Sequence, residues 1–182
     1  MTPTPADATV AADLVNTAPR VWSTDRLNDV AALTTFLSDH GLVVDGVSAD
    51  DLHGVHDLRR RLREVFVTDD EHDAVATLNA LLADADVRPR LVAADGGWRW
   101  QLAPPDGADV TRSVTAAAAA GLLQLILAKG LDRLGLCAAH GCAGVYVDLT
   151  RNHSRRYCTP EICGNRTNLA AYRARRRDEQ QT

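Results

Sequence analysis

Cysteine thiolates bind soft metal ions, and this 182-residue sequence places all four of its cysteines in one short stretch. They form two Cys-x4-Cys pairs, Cys137/Cys142 and Cys158/Cys163, separated by fifteen residues. Two short pairs at that separation match the tetrahedral zinc theme, with wider knuckles than Cys-x2-Cys. "MTPTPADATV" has no basic region followed by an apolar run, so a signal peptide is not expected and a cytoplasmic setting is. In a reducing compartment clustered cysteines serve metals more often than disulfides. Four thiolates would close the coordination shell, so the expected zinc is structural rather than catalytic. His140 and His153 could each replace a cysteine. His140 lies inside the first pair and would crowd both, so both histidines are read as non-ligands.

The densest arginine run adjoins this cluster. Residues 137–182 carry eight arginines and four acids, a balance of +4. Residues 1–136 carry 12 Lys+Arg and 20 Asp+Glu, a balance of −8. An acidic body with a basic end points to a polyanionic partner. The arginines are Arg151, Arg155, Arg156, Arg166, Arg173, Arg175, Arg176 and Arg177, and guanidinium groups suit bidentate contacts to phosphate or to a guanine edge. Arg166, Arg173 and Arg177 share one helical face; Ile162, Leu169 and Tyr172 form a neighbouring stripe expected to pack on a hairpin. A solvated charge run at a chain end is the competing interpretation. The same arginines would also suit structured RNA or a protein partner.

These groups need elements to position them. "AGVYVDLTRNHSRRY" between the pairs reads as strand, turn, strand. Thr159-Pro160-Glu161 reads as a helix start, with Thr159 as capping hydroxyl and Cys163 in the first turn. Knuckle, hairpin and helix make a treble-clef-like finger. Upstream, "ATVAADLVNT" (8–17) is a helix or strand, and helices are expected over 23–41, 48–66, 70–86 and about 110–129. Ser48 with Asp51 approximates a capping box. The last of these helices is apolar but flanked by charge and contains Gln124, so it reads as a buried helix rather than a membrane span. Residues 88–102 read as a β-hairpin around Asp95-Gly96-Gly97. The fold class is therefore α+β: a mostly helical N-terminal domain with a small hairpin (1–133), then the finger (134–178).

The string "C…C…YVDLTRNHSRRYC…CGNR…YRARRR" resembles the CGNR-type zinc finger, named for Cys163-Gly164-Asn165-Arg166. The upstream part, with "DLVNT", the helical run and the tryptophan-bearing hairpin, resembles the ABATE domain that precedes this finger. The resemblance implies a bacterial stress-induced transcription regulator whose finger binds double-stranded DNA. It carries Cys137, Cys142, Cys158 and Cys163 over as zinc ligands, and Arg151, Asn152, Arg155, Arg156, Asn165 and Arg166 as the polar motif. Tyr157 stands where the family commonly has tryptophan, and Asn168 where a basic residue is frequent. Asn165 can cap or cross-link backbone, or read adenine; Arg166 can face DNA or pair with Asp148.

The remaining candidates are blander. "DDEHD" (69–73) sits at a helix start, where acids favour the dipole. His53 and His56 suit a surface or an interface better than a ligand pair. Trp98 and Trp100 alternate along the hairpin, so they share a face, expected to be the core side, and could line a small-molecule effector pocket. There is no Gly-rich phosphate loop and no nucleophile triad, so an enzyme is not expected. An enzyme with its site in the N-terminal domain stays as an alternative, as does a zinc-stabilised RNA- or protein-binding module. A homodimer is an open option.

Overall fold

Side chains that accept from first-turn amides set most of the helix starts. In the computed structural model, which describes residues 8–42, 46–94 and 96–179, the order opens with α1 (Ala8–Asn16), α2 (Pro19–Trp22) and α3 (Val30–Asp39). Next come α4 (Ala49–Val67) and α5 (Glu71–Asp84). The hairpin β1 (Arg88–Ala94) and β2 (Gly97–Ala103) then leads to α6 (Val110–Lys129). Asp95, in the expected turn of that hairpin, lies outside the described residues. Ser48 and Asp51 form a reciprocal capping box on α4. Asp70 and Asp109 cap α5 and α6 through their carboxylates.

The helix expected over 23–41 begins only at Val30, behind the cap Asp29. Ser23 turns the chain at φ 67°. Asp25 is drawn into a bidentate pair with Arg59 of α4, at 2.7 and 2.6 Å, and accepts the Leu27 amide. Arg59 also reaches Thr17 at 3.0 Å. This buried polar knot fixes the α2–α3 segment in an irregular path that local periodicity could not foresee.

α6 is the hub, with α1, α4 and α5 packed around it. Its length and apolarity would allow it to cross a membrane, but Val114, Ala118, Ala119, Leu122 and Leu125 are fully buried in the core. There they meet Leu14, Val15, Val55, Leu62, Val65 and Leu78.

The finger is joined to that core. β3 (Leu134–Leu136) pairs antiparallel with β4 (Val145–Val147), with Gly135 opposite Tyr146. Val145 and Val147 belong to the same buried cluster as Leu14 and Leu122. The strand–turn–strand expected over 143–157 is thus replaced: β4 takes its partner from before the first cysteine. Residues 154–157 are held by other bonds, such as Ala138 N–H to the Arg156 carbonyl at 2.8 Å.

Two expectations about apolar faces are overturned. Trp98 and Trp100 are 74% and 63% exposed, so their shared face points to solvent and not to the core. The stripe of Ile162, Leu169 and Tyr172 is about half exposed and does not pack on the hairpin. Helix α7 (Asn165–Glu179) packs mainly on the turn that starts it.

Candidate metal centre and nucleic-acid interface

Cys137 follows β3 and Cys142 closes a tight knuckle, in which the Cys142 N–H donates to the Ala139 carbonyl at 3.0 Å. Gly141 stands at φ 71°, the left-handed conformation that lets so short a loop turn back. Cys158 ends the irregular return. Cys163 lies in a wide turn, Pro160–Gly164, ahead of α7. Proline opens that turn as expected. Thr159 makes no side-chain cap; its carbonyl accepts the Ile162 and Cys163 amides instead, at 3.1 and 2.8 Å.

The four sulfurs converge. All lie within 4.8 Å of one another. The edges Cys142–Cys158, Cys158–Cys163 and Cys163–Cys142 are 3.7, 3.6 and 3.7 Å. A tetrahedral ion with metal–sulfur bonds of about 2.3 Å has sulfur–sulfur edges near 3.8 Å, so the donor set fits such an ion. The proton balance also fits. Burial, then the neighbouring thiols, pushes Cys158 up. Cys163 is also raised, chiefly by burial. Burial opposes ionisation of Cys137 too, but backbone amides of Cys158 and Ala139 outweigh it and lower that thiol. Cys158 and Cys163 thus resist ionisation unless a cation stands among the sulfurs. His140 is exposed, and His153 is bound to Asp132, its Nε2 2.8 Å from the backbone carbonyl. Among the described residues the cluster holds cysteines alone.

A scaffold holds the cluster. Asp148 is fully buried. Its carboxylate accepts the Thr150 amide and hydroxyl at 2.8 and 2.5 Å and the Arg155 amide at 2.9 Å. Burial would raise its pKa, yet these donors hold it below the usual carboxylate range. Arg63 of α4 donates to the Ala143 carbonyl at 2.7 Å, beside Cys142. Gly144 is required where it stands: a Cβ there would come within 2.6 Å of Cys158 Sγ. Gly164 lies against the Tyr157 ring, where a Cβ would stand 3.3 Å from the nearest ring atom.

The polar motif divides in two. Arg151, Asn152 and Arg156 are exposed around the turn after β4, and Arg166, Arg173, Arg175 and Arg176 are exposed on α7. The Arg177 side chain lies outside the described residues. Arg155 turns inward: its guanidinium donates to the carbonyls of Tyr157 at 3.2 Å and Cys158 at 2.7 Å. Asn165 Nδ2 donates to the Glu161 carbonyl at 2.7 Å, the cross-linking role open to it. Arg166 makes a long contact, 3.5 Å, with the His140 carbonyl and does not pair with Asp148. Sequence reasoning passed over Asn16, Arg63 and the scaffold role of Asp148. Only the last has a local signal, an Asp-x-Thr turn.

A family model for the CGNR zinc finger matches residues 133–176. A second, for ABATE, described as "Putative stress-induced transcription regulator", matches residues 8–127. The chain belongs to the ABATE family. Its C-terminal segment is a CGNR zinc finger, with Cys163-Gly164-Asn165-Arg166 as the tetrad. No curated protein matches the chain in sequence. In this ABATE chain the "DLVNT" segment is the end of α1, and its Asn16 bonds directly to the finger.

Proposed function

We infer that this ABATE protein is a transcription regulator whose finger, closed by one zinc on Cys137, Cys142, Cys158 and Cys163, binds double-stranded DNA. One observation carries the reading. Arg151, Arg156, Arg166, Arg173, Arg175 and Arg176 are all exposed on a finger whose shape the four cysteines fix, while the rest of the chain is acidic. Arg156, on the short loop, is the candidate for reading a base edge. The α7 arginines suit phosphates. No catalytic role is assigned. The test is equilibrium binding to duplex DNA and to structured RNA across a salt series. About five phosphate contacts give a log–log slope of roughly −4 to −5 per protomer. A slope near zero on both would return the arginines to a protein partner or to solubility.

A second role belongs to the N-terminal domain, sensing and association. Association is favoured by the outward face of the hairpin. Alternation and register put Pro89, Leu91 and Ala93 with Trp98 and Trp100 on that face. Leu91 is 54% exposed. At about 250 Å² for a whole tryptophan, the face offers roughly 450 Å² of apolar surface. Two copies pairing face to face would bury roughly 900 Å², in the range of weak, transient contacts below a stable specific interface. A second copy of the chain, held in a weak and concentration-dependent dimer, is the occupant proposed for it.

A further inference from the structure

The face of the hairpin turned toward the body is the polar one. Register sets Val92 against Arg99 and Arg90 against Gln101, opposite in sense to the tryptophan face. Arg99 and Gln101 roof a cleft of about 450 Å³, which Leu102 borders at the strand's end. Its floor is Ala116, Ala117 and Ala120 of α6, and its walls include Val10, His40 and Leu42. Arg99 Nε is buried and has no hydrogen-bond partner among the described residues. Two carboxylates flanking the hairpin pair with other arginines of it: Asp106 with Arg90 at 2.6 Å, and Asp86 with Arg88 at 2.9 Å. A buried guanidinium donor without an acceptor is costly and calls for one.

We propose that this cleft binds a small carboxylate with a compact apolar body, the carboxylate taken by Arg99 beside Gln101 and His40, the body resting on the alanine floor. The proposal rests on the reading of the N-terminal domain as a sensor and names its ligand class. The floor has no side chain beyond a methyl group, which leaves room for a flat or short aliphatic body. The polar groups gather at the roof, where one anionic end would meet them.

His40 also connects the cleft to the finger. Its Nε2 lies 3.8 Å from the Asp13 carboxylate. His40 and Asp13 border a second, smaller cleft that extends to Cys158 and Thr159. Beyond it, Arg155 holds the carbonyls of Tyr157 and Cys158. His40 lines both clefts, so one continuous surface runs from the proposed site past Asp13 to Cys158. Occupancy of the cleft biases the loop that carries Cys158.

The experiment is titration calorimetry of the full chain, without DNA, using benzoate at fixed ionic strength. Benzamide serves as the neutral isostere and inorganic phosphate as an anion without an apolar body. Saturable one-to-one binding of benzoate is expected, weaker by about tenfold or more for benzamide and for phosphate. Arg99→Gln should lower benzoate affinity by about tenfold or more while the thermal midpoint stays near wild type. His40→Asn provides a second variant if Arg99→Gln fails to fold, with the same loss expected. No saturable benzoate binding, equal binding of benzamide, or unchanged affinity in the folded variants overturns the site. Metal release to a chelator, timed with and without benzoate, reads the coupling. Benzoate should change that rate in wild type and not in Asp13→Asn, which should still bind it. An unchanged rate in wild type overturns the link to the finger. None of these readouts involves DNA, so a failure of DNA binding would leave the cleft standing, and the reverse.

Discussion

The side-chain amide of Asn16 pairs with the backbone of Val145 as a neighbouring strand would. Its Nδ2 donates to the Val145 carbonyl and its Oδ1 accepts the Val145 amide, both at 2.8 Å. The last residue of α1 thereby satisfies the edge of β4, at the residue that follows Gly144 and leads back to Cys142. Asn16→Leu keeps the volume and removes both bonds. It should lower unfolding free energy by about 1–3 kcal/mol and speed metal release. Denaturant unfolding and chelator kinetics check this; a variant equal to wild type in both would mean the pairing is incidental.

Elemental analysis should find one zinc per chain. Cys163→Ser should lose it and show reactive thiols at the remaining three positions. Because Val145 and Val147 sit in the common core, metal loss should also lower the melting temperature, by about 2–4 °C for each kcal/mol lost. The helical signal should largely survive, since α1, α4, α5 and α6 have their own contacts. Native protein with four reactive thiols and no metal would refute the centre.

Arg155 and Arg156 are adjacent and should behave differently. Arg155→Ala strips two backbone carbonyls of their donor. It should weaken metal retention before any effect on DNA. Arg156 is exposed, so Arg156→Ala should leave stability within about 0.5 kcal/mol. It should weaken binding to a preferred sequence by about 1–3 kcal/mol. Arg173→Ala should weaken binding to all sequences alike and flatten the salt slope by about one unit. Parallel melting curves and DNA titrations distinguish these patterns.

Trp98→Ser with Trp100→Ser should convert a concentration-dependent dimer to monomer while leaving the melting curve of the monomer unchanged. Sedimentation velocity over a dilution series reads the state. Wild type that stays monomeric at every concentration would remove the dimer and leave the tryptophan face without a partner of its own kind.

Asp148 predicts an acid dependence with a definite sign. Its folded pKa lies below the ordinary value near 3.9. The stabilisation is therefore complete above that value and disappears as pH falls through it toward the folded one. Asp148→Asn presents an amide where two backbone N–H groups point. It should cost about 1–3 kcal/mol at neutral pH and flatten the stability curve below about pH 4. Acid also frees the thiols, so the difference between the two proteins is the quantity to measure. Parallel curves would assign the acid loss to the metal centre alone.

The cysteine spacing, the capping of α4 and the burial of α6 are set by residues a few positions apart, and the sequence alone determines them. Proline at the start of the turn before α7 is equally local. Other features depend on contacts between distant segments. Alternation establishes that Trp98 and Trp100 share a face, but only the packing of Arg99 and Gln101 over α6 decides that this face is the solvent one. The apolar character of Val145 and Val147 suits a strand whichever partner it takes; the choice of β3 depends on Asn16, more than a hundred residues earlier, and on the core shared with α1. Arginine chemistry is the same at 155 and 156. A guanidinium becomes a scaffold or a free ligand according to whether carbonyls lie within its reach, and the return of the chain past Asp148 brings them to Arg155 and leaves Arg156 in water.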